Sequence, residues 1–208
     1  MHPNPVFHDA DDKKNLNFAR ERGFGVVAVS DEGAPLLSHV PFLLSDDGTL
    51  AELHLVRSNP IARALKEPLK AKIAVSGPDS YVSPDWYGLA DQVPTWNYIA
   101  VHLTGTLERC PQEKLHDLLD RQSAVYEERL LPKEPWKTAK MSAGVMDKMM
   151  RMIVPCRMRI TGVDGTWKLG QNKPEDVRQA AADHMAGSGF GSEVDILAAL
   201  MKEAGAIR

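Results

Sequence analysis

The chain has 208 residues, of which 43% are hydrophobic and 25% charged, and its formal net charge is −3 at pH 7. This composition is typical of a globular protein and argues against a protein held to nucleic acid by its overall charge. No apolar run reaches the length of a membrane span, and the first residues contain no apolar signal core. We therefore expect a soluble, cytoplasmic protein. Cys110 and Cys156 are far apart and lack Cys-x-x-Cys spacing, which predicts two reduced thiols.

The first half of the chain is predicted to be mainly short strands. The predicted elements are a helix over 10–22, strands over 24–30, 36–44 and 49–56, turns at 31–35 and 45–48, a helix start within 57–67, a strand over 70–76 and a long loop over 77–95. The strand over 49–56 is supported by period-2 alternation, with Leu50, Glu52 and His54 on one side and Ala51, Leu53 and Leu55 on the other. A loop as long as 77–95 is usually functional or disordered, and its aromatic residues Tyr81, Trp86 and Tyr87 argue against disorder.

The second half adds helices. The predicted elements are a strand over 97–108, a helix over 111–128, a loop over 131–136, a methionine-rich helix over 140–151, a strand over 153–163 extended by 166–169, and helices near 174–186 and 192–204. Short hairpins without regular strand–helix alternation favour a small antiparallel barrel. The predicted fold class is therefore α+β, mainly β, with flanking helices and a C-terminal helical pair.

A candidate phosphate site lies at the predicted helix start Arg57-Ser58-Asn59-Pro60. Free N–H groups and the positive end of the dipole at a helix start suit an anion, and the side chains of Arg57 and Arg63 add fork-shaped positive charge. The alternative is an ordinary capped helix with solvated arginines.

A second candidate is His39, which lies in a predicted strand beside Ser38 and near Pro41. Proline inside a strand indicates a sheet edge or a bulge, where a ligand can meet free backbone groups. The alternative is a half-buried histidine on a barrel strand. His39, His54 and His102 do not have the spacing of metal ligands, so no metal site is expected. The methionine-rich stretch is interpreted as adaptable core or interface filling.

The sequence contains no nucleotide-binding glycine motif, nucleophile elbow or paired-carboxylate signature, and it assigns no catalytic residue. The C-terminal helical pair is the one candidate for DNA binding. Its second helix carries little positive charge, so a helical hairpin packed on the barrel or on a partner subunit is favoured.

Several blocks, taken together and in order, resemble the PaiB family of FMN-binding negative transcriptional regulators. They are His39-Val40-Pro41, Arg57-Ser58-Asn59-Pro60, Tyr81-Val82-Ser83-Pro84 with Trp86-Tyr87, Val93-Pro94-Thr95-Trp96-Asn97-Tyr98 with Ala100-Val101-His102 and Gly105, and Lys168-Leu169-Gly170-Gln171-Asn172-Lys173. The match departs from the family at Ser58, Ala62, Gly170 and Lys173.

The resemblance implies an FMN-binding split barrel, similar to pyridoxamine-phosphate oxidases and flavin reductase-like proteins, that forms a homodimer with flavin between subunits. It implies a barrel domain over 1–170 and a helical extension over 171–208. Residues 57–59 and Arg63 are expected at the phosphate, and residues Ser38, His39 and Val40 at the flavin ring edge. Trp96 and Asn97 are expected to wall the cleft, with Lys168, Gln171 and Asn172 reaching across from the second subunit.

Three functions remain open at this point. The first is an FMN-binding homodimer with a regulatory or redox-sensing role. The second is a flavin-dependent oxidoreductase, in which the flavin carries the chemistry and the protein orients it. The third is a flavin-free dimeric scaffold, in which Trp96, Asn97 and Tyr98 anchor an interface.

Overall fold

A computed structural model describes residues 1–31, 33–188 and 190–205. The predicted turn at 31–35, the junction between the last two helices and the predicted extension 171–208 each include residues outside this set. The chain divides into two compact units. The first unit contains Met1–Phe18, Val75–His102 and the C-terminal part from Val163, and the second unit contains Ala19–Ala74 and Leu103–Gly162.

Six helices and seven strands make up the described chain. The helices are α1 (Asp12–Arg22), α2 (Pro60–Ala64), α3 (Leu115–Glu128), α4 (Val145–Met150), α5 (Glu175–Ala186) and α6 (Val194–Glu203). The strands are β1 (Phe24–Val29), β2 (Leu36–Leu44), β3 (Leu50–Val56), β4 (Leu69–Val82), β5 (Thr95–Arg109), β6 (Ile153–Lys168) and β7 (Gly191–Ser192). Short 3-10 turns lie at Pro5–Phe7, Pro84–Tyr87, Gln112–Lys114 and Thr138–Lys140.

The strands form one sheet in the order β1-β2-β3-β6-β5-β4-β7, with β1 also paired to β4. The β1–β2, β1–β4, β2–β3 and β3–β6 pairs are antiparallel. Because β1 pairs on both sides, the strand segments of the second unit close on themselves around a core that includes Val27, Phe42, Leu53 and Ile73. The predicted α+β, mainly β split barrel is confirmed.

The core of the first unit is built where α5 and α6 cover strand ends. Its buried members include Val82, Ile99, Trp167, Met185 and Leu197. Trp167 Nε1 donates a hydrogen bond of 2.8 Å to Oδ1 of the buried Asn15 on α1, so the indole N–H is satisfied inside the core. Arg178 is buried, and its Nε donates to the Met201 carbonyl oxygen at 2.7 Å, near the C-terminal end of α6. A cation there offsets the negative end of the helix dipole.

Two predicted element boundaries are wrong. The loop predicted over 77–95 begins as strand, because β4 continues through Gly77 and Pro78 to Val82. A Cβ atom at Gly77 would lie 2.6 Å from the Phe18 ring, so glycine here admits a helix against the strand and does not break it. The methionine-rich helix predicted over 140–151 is restricted to α4, Val145–Met150. Across the described residues, no helix combines the length and the apolar character needed to cross a membrane.

Candidate functional site

The short helix α2 begins beside strand β2 in the second unit. Asn59 is the N-cap, and its Oδ1 accepts a hydrogen bond of 2.9 Å from the Ile61 backbone N–H. Its Nδ2 donates to Oγ of Ser38 at 3.0 Å. One amide therefore holds the helix start and β2 together, which explains why an N-cap with both a donor and an acceptor is needed here.

Strand β2 has an unpaired edge at the place where Asn59 meets it. Its pairing with β3 is limited to Phe42–Leu44. Pro41 has no N–H, so the ladder cannot continue toward the start of β2. On the other edge, the Phe42 N–H donates to the Gly23 carbonyl at 2.8 Å. Backbone groups alternate along an antiparallel ladder, so those of His39 point away from β1 and have no strand partner among the described residues.

The side chains of the three predicted ring-edge residues do not share a face. His39 is exposed, whereas Ser38 is half-buried and Val40 is buried. Side chains alternate between the two faces along a strand, so His39 faces the side opposite to Ser38 and Val40. The His39 ring lies 6.4 Å from the Phe24 ring, centre to centre. The exposed Phe24 is a residue that sequence analysis missed, because a phenylalanine at a strand start is usually a core residue.

The positive charge near α2 comes from two arginines in different settings. Arg57 Nε donates to the Arg151 carbonyl at 3.0 Å, and its Nη2 lies 3.3 Å from both Gln112 Oε1 and the Ile153 carbonyl. Arg63 is exposed and has no side-chain partner among the described residues. Ser58 is exposed as well. Arg63 and Ser58 are therefore free to bind an anion, whereas Arg57 already holds the chain around residue 152.

Gln112 was also missed by the sequence analysis. Its Nε2 donates to the carbonyls of Met150 and Ile153 at 3.1 and 3.2 Å. Together with Arg57 it ties down the end of the methionine-rich segment. Gln112 begins a 3-10 turn, and no pattern in the neighbouring sequence could have predicted its contacts with residues 150 and 153.

The other predicted site residues lie in the first unit. Trp96 is 45% exposed, and Asn172 is exposed. The half-buried Lys168 donates from Nζ to Thr95 Oγ1, and its Nζ lies 5.9 Å from the centre of the Phe7 ring. Burial lowers the pKa of Lys168, because the ammonium loses hydration.

Asn97 and Gln171 are internal. Asn97 is 1% exposed, and its Nδ2 lies 3.3 Å from the Met201 sulfur on α6. Gln171 Nε2 donates to the Trp167 carbonyl at 2.6 Å, and its Oε1 accepts from the Leu169 N–H at 2.8 Å. Gln171 thus closes the turn after β6, and both amides fix the local fold of the first unit.

An aromatic cluster surrounds Tyr81 in the first unit. The Tyr81 ring centre lies 6.5 Å from those of Trp86 and Trp96 and 5.9 Å from that of Phe190, with the rings meeting edge to face. Phe190 is 56% exposed, and the Trp96 ring lies 5.7 Å from it. Pairing of β7 with β4 brings Phe190 to this position. We call Tyr81, Trp86, Trp96 and Phe190 the aromatic cluster.

Comparison with known proteins places the chain in a defined group. A family model described as "Putative FMN-binding domain" matches residues 1–162. "Protease synthase and sporulation protein PAI 2" of Bacillus subtilis strain 168 is 29% identical over 161 residues, which cover 76% of each chain. An uncharacterized protein of Aspergillus fumigatus is 26% identical and covers 90% of this chain and 91% of its own. The block at 168–173 lies beyond the residues that the family model matches.

Solved structures agree on the fold. The FAD and heme binding protein from Mycobacterium smegmatis superposes with a TM-score of 0.61 at 18% identity, over 89% of this chain and 82% of its own. The flavocytochrome Anf3 from Azotobacter vinelandii superposes with a TM-score of 0.53 at 13% identity, over 92% and 80% of the two chains. At these identities the similarity is one of architecture.

Proposed function

The chain belongs to the family described as a putative FMN-binding domain, which confirms the resemblance inferred from its sequence blocks, and from that premise we propose that the second unit binds FMN between α2 and the open edge of β2. The phosphate of FMN lies at Ser58, Asn59 and Arg63, and the neighbouring Arg57 adds positive charge. The observation that carries the proposal is the hydrogen bond from Asn59 to Ser38, which holds a helix start and an unpaired strand edge side by side.

The donors around α2 fit a phosphate. Arg57 and the exposed Ser58 precede α2, and the exposed Arg63 lies in its last turn without a side-chain partner among the described residues. The backbone N–H and C=O of His39 offer the alternating donor and acceptor that the pyrimidine edge of a flavin ring requires. Bound FMN supplies one- and two-electron redox chemistry. The residues of the chain bind and orient it, and no side chain is assigned to proton transfer.

The site is open on one side, which supports a homodimer. Arg57, Ser58, Arg63 and the His39 side chain are all exposed. A phosphate held by surface residues is screened by water and bound weakly, whereas a second subunit covering the site strengthens each charged contact. In this proposal Trp96, Lys168 and Asn172 come from the second subunit, and Asn97 and Gln171 hold the framework that presents them.

The proposed cellular role is regulatory, with FMN as the sensed or reporting group. Support comes from the similarity to the Bacillus subtilis protein whose name refers to protease synthesis and sporulation. The net charge of −3 gives no independent support for direct DNA binding. A flavin-dependent oxidoreductase would use the same flavin site and would differ from a regulator in that it turns over a substrate.

The test begins with a fluorescence titration of the apoprotein with FMN. Binding with one flavin per chain, weakened in Arg63→Ala and unchanged in the matched surface control Lys66→Ala, supports the site. If the wild type and Arg63→Ala bind FMN with equal affinity, the phosphate does not bind at α2. Oxidation of reduced nicotinamide by the holoprotein selects the oxidoreductase role, and a DNA shift that persists at raised salt selects the regulator.

A further inference from the structure

The aromatic cluster of the first unit is carried by stretches of the chain that are rich in acidic residues. The two stretches that carry it, 79–95 and 183–195, contain six aspartates and glutamates and no lysine or arginine. Asp183 is paired with Lys202, whereas the side chains of Asp85 and Asp91 have no partner among the described residues. Lys168 and Lys173 donate to Thr95 and Gln92 within these stretches, so the surroundings of the exposed rings are acidic on balance, and Asp85 and Asp91 supply the unpaired charge.

Aromatic faces and carboxylates together select a particular kind of partner. Ring faces attract cations and polarisable sulfur, and nearby carboxylates strengthen the attraction for positive charge. A matching surface combines lysine or arginine with exposed methionine or other apolar side chains.

The second unit carries such a surface in residues 129–152, which we call the basic methionine segment. It contains six lysines and arginines against two aspartates and glutamates, and five of the nine methionines of the chain. Its exposed apolar side chains include Leu130, Leu131, Val145, Met149 and Met152. Lys133 and Lys140 have acidic partners, but Lys137, Lys148 and Arg151 have none among the described residues.

The end of this segment is held in a defined position. The Arg57 N–H donates to the Met152 carbonyl at 2.8 Å, and the Arg57 and Gln112 side chains bind the carbonyls of Met150, Arg151 and Ile153. Exposed apolar groups on an anchored backbone lose little conformational entropy on binding, as expected of an interface.

We propose that two copies of this chain associate by docking the aromatic cluster of each on the basic methionine segment of the other. The inference rests on the proposed homodimer and names the surfaces that form it. It also explains why Arg57 both lies near the candidate phosphate site and binds the end of the basic methionine segment. Because Arg57 ties the segment to α2, docking brings the aromatic cluster of the second copy to the open side of the candidate phosphate site.

The test uses charge reversal on each surface and their combination. One variant is Asp85→Lys with Asp91→Asn, which keeps at position 91 a residue that tolerates its positive φ of 58°. The second is Lys137→Glu with Lys148→Glu. The control is Lys13→Glu with Lys66→Glu, which makes the same charge change as the second variant on exposed residues outside both surfaces. Sedimentation equilibrium gives the dimer Kd, and circular dichroism checks folding.

We expect each reversal to raise the dimer Kd by about tenfold or more, because like charges then face each other. The control should match the wild type, and the chain carrying both reversals should recover most of the lost affinity. If no reversal raises the dimer Kd, the proposed interface surfaces are wrong, although the proposal of a homodimer stands. If the wild type is monomeric, the proposed surfaces and the proposed homodimer are both wrong, and the FMN titration still tests the flavin site separately. Loss of DNA binding with an unchanged dimer Kd assigns the segment to nucleic acid and refutes the inference.

Discussion

The side-chain amide of Asn59 joins two parts of the second unit, donating from Nδ2 to Ser38 Oγ at 3.0 Å and accepting the Ile61 N–H at Oδ1 at 2.9 Å. Replacing Asn59 with alanine removes both bonds, and we expect a loss of about 1 kcal/mol in the free energy of unfolding. Asn59→Asp keeps the cap but cannot donate to Ser38. Urea denaturation should therefore show near-normal stability for Asn59→Asp, and FMN titration should show weakened binding for both variants. Normal FMN binding by both variants would disconnect Ser38 and Asn59 from the site.

The two arginines near α2 should differ on substitution. Arg63 has no partner among the described residues, so Arg63→Ala should leave stability within about 0.5 kcal/mol of the wild type. It should nevertheless weaken FMN binding by about 1.5–3 kcal/mol, the range for a hydrogen bond to a charged group. Arg57→Ala should lower both FMN affinity and stability, because Arg57 also binds the Arg151 and Ile153 carbonyls. Calorimetric titration and thermal unfolding of both variants separate the two effects. Equal destabilisation by both would contradict the different settings of the two arginines.

Stability should fall in mild acid because of His54 on β3. Burial lowers the pKa of His54 from its usual 6.5, and this effect outweighs the opposing influence of the Gln122 side chain. The unfolded chain then binds more protons than the folded chain below pH 6.5, so stability is full above that pH and is lost as pH falls through the folded-state pKa. His54→Asn should show a shallower decline in urea midpoint over this window. An unchanged pH dependence in this variant would assign the acid sensitivity to other groups.

Gly105 on β5 lies where β6 approaches closely. A Cβ atom there would lie 2.2 Å from the Arg159 carbonyl oxygen, so Gly105→Ala must move backbone. Overpacking of this kind costs about 1–3 kcal/mol, and we expect thermal unfolding to show a loss in that range. Gly162→Ala on β6 is the matched control, because its Cβ would lie 3.9 Å from Thr104 Cβ, an ordinary contact. Similar unfolding temperatures for the two variants would contradict the close approach at Gly105.

The two thiols should react at different rates. Burial raises the pKa of Cys156 to about 12, and burial also raises that of the half-buried Cys110. Because the thiolate is the reactive form, Cys156 should resist alkylation until the chain unfolds. We expect iodoacetamide to modify Cys110 slowly in the native protein and both residues in denaturant, with mass spectrometry locating the label. Fast labelling of Cys156 in the native protein would contradict its burial.

Local sequence patterns predicted most of the fold, and long-range contacts explain where they failed. The alternation Leu50 to Leu55 predicted β3 correctly, because each side chain faces one side of a half-buried strand. The loop predicted over 77–95 starts at Gly77 and Pro78, but β4 runs through both residues, because the absence of a Cβ atom at Gly77 makes room for the Phe18 ring. Gly77 and Phe18 are 59 positions apart in the chain. A contact between residues so far apart produces no periodic pattern in the local sequence.

The candidate site shows the same division. The N-cap at Asn59 followed from residue type and from Pro60. Its second bond, to Ser38, depends on where β2 lies and could not be predicted from the local sequence. Likewise, the polar residues Asn97 and Gln171 are buried by contacts with α6 and within the turn after β6. The sequence alone therefore could not distinguish these buried structural residues from exposed residues that could bind a ligand.

The open edge of β2 also makes the flavin-free protein vulnerable. Unpaired backbone groups on a strand edge are a template for adding a strand from another chain, and this is a common route to aggregation. Pro41 protects one end of the edge, but the groups of His39 stay available. If FMN occupies these groups, the cofactor also acts as a protective cap. Flavin supplied during expression should then raise the yield of soluble protein and extend its storage life.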